Sequence, residues 1–406
     1  MAIFRGRRAS REPLPTEHSH SDISMRSIVA LLLTLAVSTA GAQENCGKYR
    51  ASVRVDTAKH EVIITAGPFD LKPMPPMQGH GADVMKMAET LMMRFEWPVA
   101  GSLSGVDLTI SDSLGHAVPT EVLHHLAMYN FDRRGLIHTS VERLFAWGQD
   151  TRAIVLPAGV AAPVPKGEHL GFLIGWHNET GRAIHGATVH MTLSYVSPKK
   201  VKASVMPWYL DMHMVYGPGG NSFDLPVGRS TQRFDFQVPV SGRLIAVGGH
   251  MHDHAQWVSL VDSATGKTLV KLQAERDKQG SVTGTGRFVF GFNEDALPIQ
   301  ANHTYTLVSQ YDNATGKVIK DGGMSQLNGV FEPLDAAQYP RLDMSDPRTI
   351  ADLKSLPPDV GSPDAQNYCK AQGDMDHDQM DMKDMKDMKM DSVVKQDSSP
   401  RKPPAA

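Results

Sequence analysis

The sequence predicts an all-β protein, built from β-sandwich or jelly-roll domains in tandem and ending in a disordered tail. Three observations predict it. First, short runs rich in β-branched residues recur after residue 50, at Ala51–Val55, Glu61–Thr65, Val106–Ile110, Thr188–Val196, Leu244–Val247, Trp257–Val261, Thr268–Leu272, Arg287–Phe290 and Thr304–Gln310. Second, turn chemistry separates them: Asp112-Ser113-Leu114-Gly115, Asn178-Glu179-Thr180-Gly181, Asp262-Ser263-Ala264-Thr265-Gly266 and Asn313-Ala314-Thr315-Gly316. Asp and Asn open such turns and Gly supplies positive φ. Third, long amphipathic helical patterns are scarce, and evenly spaced short strands suit sandwiches and jelly rolls.

The elements follow in chain order. From Met25, one Arg precedes an apolar run from Ile28 to Val37, and Ala40-Gly41-Ala42 forms an A-x-A site. This pattern predicts an N-terminal extension and a cleaved export signal over 1–42, with Met25 as the true start and cleavage after Ala42. The run is too short for a bilayer anchor, so the expected location is periplasmic or secreted, with no stable membrane anchor after cleavage. Residues 43–90 read as a leader region with one hairpin and a Pro/Met stretch. Two sandwich domains fit residues 91–200 and 201–335, divided near the polar Ser197-Pro198-Lys199-Lys200. Residues 336–372 read as irregular, and 373–406 as a low-complexity Met/Asp/Lys tail without order.

Composition narrows the function. A net charge of -3 over 406 residues gives no field for nucleic acid. The 18 His and 22 Met exceed what a core of this kind needs. Imidazole and thioether are both metal ligands, and thioether suits Cu(I). The two cysteines, Cys46 and Cys369, either pair across the exported chain or stay separate. There is no G-x-S-x-G, P-loop, dinucleotide fingerprint or H-E-x-x-H. A blue-copper site is disfavoured because the cysteines lie near the chain ends.

Several constellations could carry metal chemistry. His124 and His125 are adjacent, and adjacent strand residues point to opposite faces, so they share one metal only if the strand bends or ends there. In Gly248-Gly249-His250-Met251-His252-Asp253-His254, His250 and His252 alternate onto one strand face, with His254 expected to follow them. Met324 follows a Gly pair in a turn-like segment, where it has little reason to be core filler. His177 ends an apolar strand at a turn. The tail repeats Met-Lys-Asp triplets, which could gather Cu(I) or simply form a solvated spacer.

Taken together, these segments resemble the copper type II, ascorbate-dependent monooxygenases, the family of peptidylglycine α-hydroxylating and dopamine β-monooxygenases. The resemblance runs in order over about residues 90–335. It rests on Glu121-Val122-Leu123-His124-His125-Leu126, on Leu144-Phe145-Ala146-Trp147-Gly148 with Leu156-Pro157-Ala158-Gly159-Val160, and on Phe172-Leu173-Ile174-Gly175-Trp176-His177-Asn178. Ala187-Thr188-Val189-His190-Met191-Thr192, His250-Met251-His252 and Gly322-Gly323-Met324 complete it. It implies two tandem jelly-roll β-sandwich domains, each holding one mononuclear copper. By resemblance, His124, His125 and His177 hold an electron-transfer copper, while His250, His252 and Met324 hold the catalytic, oxygen-activating copper. The implied reaction hydroxylates a C–H bond of a small-molecule substrate with O₂ and a reductant such as ascorbate. An alternative on the same scaffold is a non-catalytic protein that binds, stores or delivers copper. The sequence departs from the family in its few cysteines, in Met324 directly following the Gly pair, and in Gly248 and Gly175 at positions the family gives to Arg and Gln. Peptide amidation is therefore not implied, and His254 stands as an alternative to Met324.

Overall fold

The computed structural model describes residues 48–74, 88–148, 153–214, 221–278, 280–292 and 295–374. The expected signal peptide, Cys46, the second half of the Pro/Met stretch and the tail beyond residue 374 lie outside these residues. The described chain is all-β, with two tandem jelly-roll β-sandwiches and two short helices near its end.

The first sandwich has one large sheet ordered Arg50–Asp56, Glu61–Leu71, Ile184–Val196, Gly101–Ser111, Val160–Val164 and Ala203–Ser204. The facing sheet runs from Ala88–Glu89 and Met93–Glu96 through His169–Trp176 and Leu123–Arg134 to Val141–Gly148. Alternation decides what faces inward: in Glu61–Leu71, Val62, Ile64 and Ala66 are buried while the residues between them are not. They meet Leu108, Met191, Leu126, Phe172 and Trp176 in one core. The hairpin expected within 43–90 is therefore part of this sandwich rather than a leader to it, because Glu61–Leu71 pairs along Ile184–Val196.

The strand His169–Trp176 is buried on both faces after its first residue. Leu173 on its outer face joins Met92, Tyr129, Phe131 and Val141 in a small second core, closed by Leu353 and Leu356. Leu353 belongs to the helix Pro347–Ser355, in the segment expected to be irregular. Asp346 caps this helix by accepting from Arg348 N, and Pro347 occupies its first turn. These are the usual start signals of a helix, here in a short element without long periodicity. A second helix, Ala365–Asp374, carries Ala365, Tyr368 and Cys369 against the main core. Cys369 is disulfide-bonded.

The second sandwich packs a sheet ordered Met206–Asp211, Ser325–Pro333, Gly242–Met251 and Phe288–Val289 against one ordered Gly228–Gln237, Thr304–Asn313, Ala255–Asp262, Thr268–Arg276 and Val282–Thr285. Trp208, Leu210, Leu244, Val258, Leu307 and Phe331 fill the space between them.

Two features join the sandwiches. Val160 of the first packs with Val205, Ile245 and Ala296. Arg143 also lies between Tyr129 of the first and Tyr209 of the second, 5.3 and 5.9 Å from their ring centres. Asp352 accepts two bonds from Arg143, at 2.8 and 2.6 Å, and a third from Val141 N at 2.8 Å. Among the described residues no helix is long and apolar enough to cross a membrane.

Candidate metal centres

The first histidine cluster depends on a break in strand pairing. Gly175 pairs with His125 and Trp176 with Leu123, so His124 is an extra residue between two pairing steps. Such a β-bulge turns neighbouring side chains out of strict alternation. The two imidazoles converge here, with His124 Nδ1 3.1 Å from His125 Nδ1 and the rings nearly perpendicular at 73°. Two nitrogens each about 2.0 Å from one tetrahedral metal lie about 3.3 Å apart, so this spacing fits a shared cation.

Second partners set which nitrogens face inward. His125 Nε2 lies 3.0 Å from Glu89 Oε1 and donates to it, which leaves the Nδ1 lone pair toward His124. Gly175 makes room for this ring: a Cβ there would stand 2.9 Å from His125 Cε1 and 3.0 Å from Nε2. His177 begins just past the partner strand, tied by its N–H to Val122 O. The residue is 3% exposed, with Nε2 3.0 Å from Glu179 Oε1 in a contact poorly aligned for a hydrogen bond. Its Nδ1 is buried without a hydrogen-bond partner among the described residues. Such an atom is costly unless something fills its lone pair. The structure brings His124 to His125 and leaves His177 on the adjoining strand end. Among the described residues, no three His, Cys, Asp or Glu side chains are already grouped to hold a metal ion.

The second cluster depends on register. His250 pairs with Gln326 and Met251 with Ser325. His252 N donates to Met324 O at 3.3 Å, which continues the ladder one step past the strand. Paired residues share a sheet face, so His250, Gln326 and Met324 project from one face while Met251 and Leu327 enter the core. The His250 and His252 rings stand 5.4 Å apart at 89°. Tyr311 clamps the backbone of Met324: its hydroxyl donates to Met324 O and accepts from Met324 N at 3.2 Å. Burial pushes that hydroxyl up to about 12, so it remains a donor. His254 does not follow its two neighbours. The strand ends at Met251, and His254 sits in a turn with φ of 69°, off the shared face.

Beside His250 and Met324 on this face lies a polar hub that the sequence reading did not single out. Asp211 is fully buried and pairs with Gln326. Its Oδ2 accepts from Tyr209 Oη at 2.9 Å, from Asn221 Nδ2 at 2.9 Å and from Gln326 Nε2 at 2.6 Å. Its backbone N–H donates to His138 Nε2 at 2.9 Å. Burial raises the Asp211 carboxyl above the usual range, against the pull of these donors. Strand alternation from Met324 would have found Gln326, whereas Glu89 and Asp211 carry no signal in their local sequence. A shallow cavity bounded by Arg50, Ser52, Thr65 and Thr188 shares no residue with either cluster.

Neither a protein-family model nor a curated protein matches this sequence. Among solved structures, the chain is similar to the major capsid protein P2 of bacteriophage PM2, at 10% identity and a TM-score of 0.32 over 66% of this chain and 97% of that one. It is also similar to PNGase F, a glycosylasparaginase from Flavobacterium meningosepticum, at 9% identity and a TM-score of 0.31 over 70% and 96%.

Proposed function

We propose that this chain is an exported copper protein with two mononuclear sites, one at His124, His125 and His177 and one at His250, His252 and Met324. In this reading it hydroxylates a C–H bond of a small-molecule substrate with O₂ and a reductant such as ascorbate. The observation that supports it most is the pair of backbone devices that gather the ligands. A bulge sets His124 Nδ1 3.1 Å from His125 Nδ1, and the register places His250 and Met324 on one face.

The ligand chemistry fits. Three imidazoles suit a copper that changes oxidation state without changing partners, while two imidazoles and a thioether favour Cu(I). Bound copper would supply the redox chemistry. The chain's own part is orientation: Glu89 fixes the tautomer of His125, Glu179 lies against His177, and Tyr311 holds Met324 by its backbone.

Copper counting on the full mature chain tests this. Replacing His124 and His125 by Ala should remove one tightly held copper, and replacing His250 and His252 by Ala should remove another. Either pair should abolish ascorbate-dependent O₂ uptake with the chain still folded. Copper counts unchanged by both pairs would sink the proposal. Copper lost as expected, in a wild-type chain that never consumes O₂, would assign it to copper storage or delivery instead.

A further inference from the structure

The methionines of the second sandwich fall into two groups. Met206, Met212 and Met251 lie in its apolar core. Met214 and Met324 do not: both are half-buried, and each thioether meets a side-chain amide. Asn221 Nδ2 lies 3.7 Å from Met214 Sδ, and Gln326 Nε2 lies 3.8 Å from Met324 Sδ. A thioether is a poor hydrogen-bond acceptor, so two such placements at one polar hub are not explained by filling space.

The two amides belong to one cluster. Both nitrogens bond the same oxygen, Asp211 Oδ2, and both approach the Tyr209 hydroxyl, at 3.2 Å from Asn221 and 3.3 Å from Gln326. The hub therefore draws Met214 and Met324 to the same end of one buried carboxylate. Gln326 is also the residue paired with His250, so the cluster borders the face that carries the histidines. Met214 reaches it from a different segment, just past the strand Met206–Asp211. That segment turns where His213 N donates to Asp211 Oδ1 at 3.0 Å.

We propose that Met214 is a second thioether ligand of the site formed by His250, His252 and Met324, brought to it by Asn221 and Gln326 on Asp211. The inference rests on the copper reading of that site. Two imidazoles and two thioethers make a soft donor set that strongly prefers Cu(I) over Cu(II), and O₂ would have to displace Met214 to reach the metal. Asp211, Asn221 and Gln326 act as positioning residues: they aim the sulfurs and do not touch the metal.

The test uses the full mature chain labelled with ¹³C at the methionine methyl groups and titrated anaerobically with Cu(I) until no signal changes further. Met214→Leu, Met324→Leu and Met212→Leu assign the three resonances, and these swaps nearly conserve volume. The Met214 and Met324 methyls should shift together at the same equivalent of copper, with Met212 unmoved. Met214→Leu should weaken Cu(I) binding at this site by roughly tenfold or more, the least that losing even an outer partner costs a metal site. Cu(II) binding there should change far less. A Met324 shift without a Met214 shift overturns the inference and leaves the copper site standing. If neither methyl shifts at saturation, both the inference and the copper reading of this site fail.

Discussion

Gly175→Ala probes the first cluster through the backbone opposite it. The new Cβ would stand 2.9 Å from His125 Cε1, 3.0 Å from Nε2 and 3.2 Å from Nδ1. Real carbon contacts are rarely this short, so the ring must swing. The ring is only 30% exposed, and its 3.0 Å contact to Glu89 would be lost. Losing a hydrogen bond to a carboxylate costs about 1.5–3 kcal/mol, toward the low end here because Glu89 is itself part-exposed. The alanine also restricts the unfolded chain, which returns about 0.4–1 kcal/mol. The net expectation is a metal-free protein destabilised by about 1 kcal/mol and still folded. Copper binding at this cluster should fall far more, by roughly 10–100-fold, because the ring no longer presents Nδ1 to its neighbour. Urea denaturation of the metal-free chain measures the first effect, and Cu(I) competition in a His250→Ala/His252→Ala background measures the second. Unchanged copper affinity beside a measurable loss of stability would show that the His125 ring position does not matter to a metal. The reasoning about Gly175 would then be wrong.

Three further expectations concern the frame that holds the sites. Asp352→Ala leaves the buried Arg143 guanidinium without its carboxylate, keeping only the bond to Val141 O, and leaves Val141 N–H without its acceptor; breaking such a pair costs about 3–5 kcal/mol. A urea midpoint that did not move would rule out Asp352 as the clamp between helix and sandwiches. Two buried groups should give opposite pH slopes. His138, depressed from 6.5 to about 3 chiefly by burial, must stay neutral to accept from Asp211 N, so its share of stability is lost as pH falls below about 6.5 toward 3. Glu142, raised from 4.5 to about 7 chiefly by burial, acts the other way: its share is full below about 4.5 and is lost as pH rises through 7. Glu142→Gln should remove that decline, up to about 3 kcal/mol in urea experiments between pH 5 and 8, and an unaltered slope would exclude Glu142 as its source.

What the sequence reveals here is what strand alternation and turns encode. The all-β class was readable because each run of β-branched residues lies between Asn, Asp and Gly turns, and the expected shared face of His250 and His252 follows from period two. Three kinds of information were not local. The place of Glu61–Leu71 inside the first sheet depends on its pairing with Ile184–Val196, more than 100 residues away. The helix Pro347–Ser355 is too short for its apolar period to register, although its cap, Asp346-Pro347, was in plain view. The meeting of His124 and His125 required a bulge that neither strand announces by itself.

A β-sandwich that clusters histidines works against its own geometry. A regular strand cannot aim neighbouring side chains at one point, and residues two apart lie nearly 7 Å from each other along the strand. The first sandwich meets the constraint by spoiling its own ladder at Gly175 and Trp176, with the glycine clearing room for the ring. The second keeps its ladder and draws Met324 from the next strand, one pairing step beyond His250. The two clusters thus depend on different backbone devices, a bulge in one and a regular register in the other. A one-residue slip in Ser325–Pro333 would carry Met324 and Gln326 to the core face and dismantle the second cluster, while leaving the first untouched.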